Sequence, residues 1–391
     1  MCVMAASTCA MAQSTSAPAA SSPATTQSTT QAALKFEVGP VLGSFDDDFF
    51  YVTCRTSLAA KVYLKADSTI LRPDLWAAVY MHSSEGLMHS FRVKRTGQPK
   101  MTYVLTAING DTVPETKPAT VNFPVAGQPL RFVAMGDSRT NPTHWAAVAA
   151  GAIAAKPDLI VFSGDMVADG TKEKLWEEFF AQAPELFSSI PMLVVMGNHE
   201  RRSPTMEGYF HMSPADAKAI NWSRNFGDTL LVGIDGESDW SAGGDNAKWL
   251  DKTLADSKAK FIFVASHYPA WSSGGHGAVD EQGKPIEKPV REAQEVIVPM
   301  LAKYHVTAYI CGHEHCYERS ELPGVTEIIS GGAGAPLYGK VKNAEKQNPY
   351  SKVFVKTLHY CVVDVTAKQA TLKAIDTGGK EIDSVKWEPR K

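Results

Sequence analysis

The chain has 391 residues, with 39 basic against 42 acidic side chains and a formal net charge of −3, long enough for two domains around a large buried core. That balance provides no global basic field to hold nucleic acid. No apolar run in the body of the chain reaches the length of a membrane-spanning helix.

The N-terminal stretch MCVMAASTCAMAQ reads as the tail of a secretory signal, residues 1–12, with small residues for cleavage after Ala12. No Lys or Arg precedes Lys35, so the charged leader of such a signal is missing, which implies a start upstream or a trimmed terminus. Residues 13–34 are almost wholly Ser, Thr, Ala, Pro and Gln and are expected to be a disordered tether, because they have no apolar surface to bury. Of the cysteines, Cys54, Cys311, Cys316 and Cys361 remain beyond the signal, too few in a chain this long for a disulfide scaffold. A Cys316–Cys361 bridge is possible from sequence alone; buried free thiols are the expected state.

Residues 35–127 carry short β-branched and aromatic runs, FFYVTCRTS, AKVYLKAD, WAAVYMHS, HSFRVKR, KMTYVLTAI and ATVNFPVA, separated by turn signals, which predicts a small β-sandwich. From residue 128 to 391 apolar runs alternate with helical patterns: RFVAM with THWAAVAAGAIAA, DLIVFS with TKEKLWEEFFAQAPELF, then PMLVVM, LLVGI with DNAKWLDKTLADS, KFIFVAS, and REAQEVIVPMLAKY with VTAYI. This alternation predicts an α/β domain. VFVKTLHYCVVDV and QATLKAID read as strands that close it.

Five of these runs end in metal-capable or titratable residues: Asp137, Asp165, Asn198-His199-Glu200, His267, and His313-Glu314-His315. Ligands collect outside the carboxyl ends of strands in open α/β sheets, so residues scattered in sequence can share one cleft. His313 and His315, two apart on a strand end, are expected to point to the same side and Cys316 to the other. Four ligands within CGHEHC cannot comfortably close a zinc tetrahedron. The Asp and Asn oxygens with imidazole nitrogens suit Fe, Zn or Mn, which makes HEH one edge of a two-metal centre.

The ordered series GD, GD, GNHE, VASH and GHEHCYER resembles the calcineurin-like metallophosphoesterases, and within them the purple acid phosphatase branch, over roughly residues 130–375. Residues 35–127 resemble the fibronectin type III-like domain that precedes the catalytic domain in that branch. The resemblance implies an α/β metallophosphoesterase fold, a β-sandwich core flanked by helices, behind a smaller N-terminal all-β sandwich. It implies that Asp165 bridges two ions, with Asp137 and His315 on the first, Asn198, His267 and His313 on the second, and His199 and His276 facing substrate.

Two positions depart from that pattern. Ala168 stands where the purple enzymes have a tyrosine ligand, and Arg139 where many metallophosphoesterases have a histidine, so the first ion is one protein ligand short. His144 and Asn141 could fill the gap or simply start a helix. Arg139 reads either as a bidentate phosphate contact or as an exposed salt bridge; Arg201 and Arg202 read as attractors of acidic substrate or a solvated loop, and Arg319 as support behind the site. The resemblance thus implies a secreted or periplasmic enzyme with two divalent or trivalent ions, hydrolysing small-molecule phosphomonoesters or phosphodiesters by attack of a metal-bound hydroxide. No nucleic acid partner and no membrane span are expected. The rival readings are a non-hydrolytic metal- or phosphate-binding cell-surface module and a redox di-iron protein.

Overall fold

The computed structural model describes residues 33–390 except 47, 69–84, 96, 98, 126 and 214–217. The signal and most of the tether, and the run WAAVYMHS, lie outside the described residues.

Near the N-terminus, β1 (Phe36–Phe45), β2 (Phe49–Ser68), β3 (Glu85–Lys94), β4 (Lys100–Ile108) and β5 (Ala119–Asn122) form one antiparallel sheet. Alternation builds its buried face: Val62, Leu64 and Ala66 of β2 and Met101, Tyr103 and Leu105 of β4 point inward. FFYVTCRTS and AKVYLKAD, expected as separate strands, are one strand of 20 residues. β1 and β3 flank mainly its first half and β4 its second, so a single strand runs through what the sequence reading divides. β1 itself was not anticipated, because Gly39, Pro40 and Gly43 weaken its strand signal.

The remainder supplies two further sheets. β6 (Leu130–Met135), β7 (Leu159–Phe162) and β8 (Met192–Val194) come first. β9 (Trp222–Phe226), β10 (Thr229–Gly233), β11 (Phe261–Ala265) and β12 (Ala308–Cys311) follow. β13 (Tyr317–Leu322), β14 (Val325–Ser330), β15 (Ser351–Val355), β16 (His359–Val365), β17 (Ala370–Asp376) and β18 (Glu381–Trp387) complete the set. One sheet has the order β18-β17-β16-β6-β7-β8 and the other β15-β13-β14-β12-β11-β10-β9. Their central strands, β6-β7-β8 and β10-β11-β12-β14, run parallel. LIVF, TLLVG, FIFVA and AYIC are buried at every position, as strands covered on both faces must be. Phe132 of β6 meets Phe263 of β11 edge-on at 5.2 Å, and Phe263 meets Trp387 of β18 at 6.0 Å, so the two sheets pack through an aromatic seam.

Helices cover the outside. α1 (Pro142–Ala154) starts at Asn141, whose Oδ1 accepts from His144 N, and buries Trp145, Val148, Ala149 and Ala152. The run TKEKLWEEFFAQAPELF is two helices, α2 (Glu173–Ala181) and α3 (Pro184–Ser189), because Pro184 opens a new helix at its first turn. α4 (Pro204–Phe210) lies against β1, where a Cβ on Gly43 would stand 2.5 Å from the Phe210 carbonyl oxygen. Apolar residues from before and after position 128 form one continuous core. Polar ties reinforce it: Tyr103 OH donates to Ser188 O at 2.8 Å, and Arg224 Nε to Phe45 O at 2.9 Å. No helix among the described residues is long and apolar enough to cross a membrane.

Candidate metal centre

The strand ends deliver the expected residues to one place. Asp137 follows β6, Asp165 follows β7, Asn198 follows β8, His267 follows β11, and His313 and His315 follow β12. All but the half-buried Asn198 are buried. Asp137, Asp165 and His313 have φ of 63°, 57° and 67°, a left-handed conformation that non-glycine residues hold only where the surroundings enforce it. The enforcement is visible. His313 N donates to both carboxylate oxygens of Asp137 at 3.2 and 3.0 Å, and His199 N donates to Asp165 Oδ1 at 2.9 Å. A Cβ on Gly312 would stand 2.4 Å from Asp137 Oδ2 and one on Gly197 2.4 Å from Asp165 Oδ1, so the carboxylates fit only over bare backbone.

HEH reaches the cleft differently from expectation. The segment is a turn, closed by Glu314 N to Gly312 O and Cys316 N to Glu314 O, each 2.8 Å. His313 and His315 still face the cleft, while Glu314 turns back to Ser272 Oγ and His276 N. Cys316 and Cys361 are buried free thiols, and no zinc knuckle forms.

Proton positions follow from the partners. His267 Nδ1 lies 2.8 Å from Ser163 O, which can only accept, so the neutral ring carries its proton there and leaves Nε2 bare. His313 Nε2 faces Glu287 Oε2 at 2.8 Å, which leaves Nδ1 bare. Burial holds the His313 imidazole down to about 4, against the pull of Glu287, so it stays neutral. The two bare nitrogens stand 3.1 Å apart, and Asn198 Oδ1 lies 3.0 Å from His267 Nε2. Asp165 Oδ1 is 3.5 Å from the same nitrogen. Lone pairs set against one another with no proton between them call for a cation. Donors about 3.0–3.5 Å apart are those of an ion about 2.0–2.2 Å from each. Asp165, Asn198, His267 and His313 therefore fit a metal seat.

Residues 130–317 match the calcineurin-like phosphoesterase family. They form a calcineurin-like phosphoesterase domain. The chain is 30% identical over 139 residues to human tartrate-resistant acid phosphatase type 5, covering 34% of this chain and 39% of that protein. It is 28% identical over 219 residues to a barley (Hordeum vulgare) nucleotide pyrophosphatase/phosphodiesterase, covering 46% and 58%. The chain thus spans about two fifths of the length of the first of these relatives. Among solved structures, the yellow lupin purple acid phosphatase PPD1 superposes with a TM-score of 0.74 at 18% identity, covering 91% of this chain and 74% of that one. PhoD superposes with a TM-score of 0.66 at 13% identity, covering 91% and 94%. At these identities the likeness is one of fold, and it extends beyond the phosphoesterase domain.

The calcineurin-like and purple acid phosphatase families use a dinuclear metal centre, and the seat expected for the first ion is built differently. Its residues are Asp137, Asp165 and His315. His315 Nδ1 donates to Pro336 O at 2.7 Å, so Nε2 holds the ring's single lone pair, and burial keeps the ring neutral, down to about 3. That lone pair is already engaged: Arg139 Nη2 lies 3.3 Å away, while Arg139 Nε donates to Asp165 Oδ2 at 3.2 Å. The Asp137 carboxyl is pushed well up by burial and by Asp165, with Arg139 pulling the other way. Ala168 contributes no donor side chain. As Arg139 stands, this seat does not fit an ion.

Around the Asn198–His267–His313 seat, His199 Nδ1 faces Ala168 O at 2.7 Å and its Nε2 lies 3.9 Å from Asp165 Oδ2. His276 joins the cluster through Glu287, which accepts from His276 Nδ1 at 2.7 Å and from His313 on its other oxygen. Burial opposes charge on His276 most strongly, yet the Glu287 hydrogen bond and the charges of Glu287 and Glu314 together outweigh it and raise the imidazole above its ordinary value; burial likewise opposes charge on Glu287, whose two histidine partners hold it down to about 2. The segment from Ala270 to His276 is tied by buried carboxylates: Glu327 accepts from Ala270 N, Glu318 from Ser273 N, and Glu314 from His276 N. Glu200 accepts from Asp165 N, Met166 N and Gly197 N, each at 2.8 Å. Sequence reading assigned no role to Glu287, and it quoted Glu200 within GNHE without one.

Other candidates fall outside. Asn141 caps α1 and His144 Nδ1 faces Gly334 O at 3.3 Å, so neither fills the gap beside Asp137. Arg201 pairs with Asp169 and Arg202 with Asp235, both partly in solvent. Arg319 does not brace the centre: it bonds Asp383 of β18 and Glu321, pinning the last strand.

Proposed function

We propose that the chain is a metal-dependent phosphoric ester hydrolase acting on small-molecule phosphomonoesters or phosphodiesters. The observation that carries this reading is the convergence of three bare donors, His267 Nε2, His313 Nδ1 and Asn198 Oδ1, beside Asp165, with His199 and His276 flanking them. The acid phosphatase and phosphodiesterase relatives support the reaction class. When bound, the ion supplies Lewis-acid chemistry, polarising a phosphoryl oxygen and acidifying water.

The chain's own groups handle charge and protons. Glu287 orients the His276 ring through Nδ1, as a carboxylate orients a catalytic imidazole. The raised basicity of His276 keeps a proton available at Nε2 for the leaving oxygen as its bond to phosphorus breaks, while water supplies the oxygen of the new bond. His199, whose Nε2 lies 3.9 Å from Asp165 Oδ2, is the second imidazole within reach of a bound ester. The segment MCVMAASTCAMAQ supports a secreted or periplasmic location, checked by sequencing the N-terminus of the mature chain.

The test is to strip the protein with chelator, reload it separately with Fe, Zn or Mn, and assay an aryl phosphate monoester and a diester. Turnover should disappear on stripping, return on reloading, and be absent from folded Asp165→Ala. Full activity in the stripped protein, or none after every reloading, would refute the reading.

A further inference from the structure

Resting on that reading of the site, the geometry points to an arginine in place of one ion: the Arg139 guanidinium occupies the seat formed by Asp165 and His315, and the chain binds one ion tightly, in the Asp165–Asn198–His267–His313 seat.

The two seats meet the same chemical demand in different ways. In one, bare donors face one another and only a cation reconciles them. In the other, Asp165 and His315 are already paired with Arg139, while Asp137 Oδ1 lies 3.5 Å from His315 Nε2. Arg139 Nε and Nη2 reach Asp165 Oδ2 and His315 Nε2 at 3.2 and 3.3 Å, which is the spacing of hydrogen bonds. Exclusion follows from valence. Because Pro336 O holds the Nδ1 proton of His315, Nε2 offers one lone pair, and it can serve a guanidinium or a metal ion but not both. An ion in this seat would also sit against a fixed positive charge that never deprotonates.

A second observation agrees. Ala168, three residues beyond Asp165, lines a cavity of about 190 Å³ together with Arg139, Met166, Val167, Trp145 and Phe179. Ser138, Asn141 and Glu178 also line this cavity, but at position 168 the wall offers only a methyl group and no donor. Arg139 reaches in from the loop after Asp137, its side chain 16% exposed, and among the described residues its Nη1 has no hydrogen-bond partner in the protein. A planar donor held by two of its nitrogens keeps the third for a phosphoryl oxygen. The arginine thus supplies positive charge beside the leaving or attacking oxygen without a second metal.

The experiment measures zinc per chain, by elemental analysis and calorimetric titration, for stripped wild-type protein, Arg139→Ala and Arg139→His, with near-ultraviolet circular dichroism as the check on fold. Wild type is expected to take up one equivalent tightly. Arg139→His, which replaces the guanidinium by a ligand, is expected to take up two, whether or not Arg139→Ala does. Two tight equivalents in wild type overturn the proposal, as does a single equivalent in both variants. Turnover is read separately. One equivalent with no hydrolysis of any ester leaves the arginine seat standing and removes the phosphoesterase reading; two equivalents with hydrolysis do the reverse.

Discussion

Glu200 offers a sharp test of how the centre is held. Its side chain is fully buried, with Oε2 accepting from Asp165 N and Gly197 N and Oε1 from Met166 N. Replacement by Ala leaves three buried N–H groups without partners, each costing about 1–3 kcal/mol. Part of that loss is offset, because burial and the neighbouring Asp165 push the Glu200 carboxyl up to about 8, and its desolvation is relieved on removal. A net loss of about 3–5 kcal/mol is expected, a large share of a domain stability of about 5–15 kcal/mol. Gln keeps an acceptor for the pair on Oε2 but turns an NH₂ toward Met166 N–H, so it should lose one bond of the three and about 1–2 kcal/mol. The loop from Gly197 also carries Asn198, so metal affinity should fall along with stability, by about 10–100-fold, as for other groups that orient ligands from behind. Urea denaturation at neutral pH, with and without metal, and metal titration measure both quantities. An Ala variant within 1 kcal/mol of wild type, or a Gln variant as unstable as Ala, would refute the reasoning.

Two other expectations follow from buried histidines. His359 is buried between Thr357 O at 3.0 Å and Ser330 Oγ at 3.2 Å, and burial lowers its imidazole to about 4. Its folded value lies below the unfolded value of about 6.5, so its contribution is present above that pH and is lost as pH falls from about 6.5 to about 4, to a total of about 3 kcal/mol. Urea midpoints of wild type should therefore fall more steeply over that window than those of His359→Gln, and parallel profiles would show the site is not responsible. In metal-loaded protein, His276→Ala should slow an alkyl phosphate by about 10²–10⁴-fold and an activated aryl phosphate much less, because proton donation matters most for a basic leaving group. Glu287→Ala should reproduce that selectivity in weaker form; equal losses on both esters would assign His276 to substrate binding instead.

The sequence by itself determined the class of the fold and the six residues that approach the centre from strand ends. Both are local properties: apolar runs with a helical or strand period, each followed within a few residues by a ligand-capable side chain, in all but the run before His267 with a Gly ahead of it, are written contiguously in the chain. The same locality let GHEHCYER exclude a zinc knuckle. Tertiary structure alone decided how those residues are used. The bond between Arg139 and His315 joins positions 176 apart, and that between Glu287 and His313 joins positions 26 apart on different loops; no periodicity records either. Arg319 likewise chose Asp383, 64 residues away, over the centre it nearly adjoins. Which nitrogen of each histidine is bare, and whether a guanidinium or an ion meets it, depends on the single acceptor that folding places behind the ring, Ser163 O for His267 and Pro336 O for His315. A side chain's chemistry is written in the sequence, but its free lone pair is set by its neighbours in space.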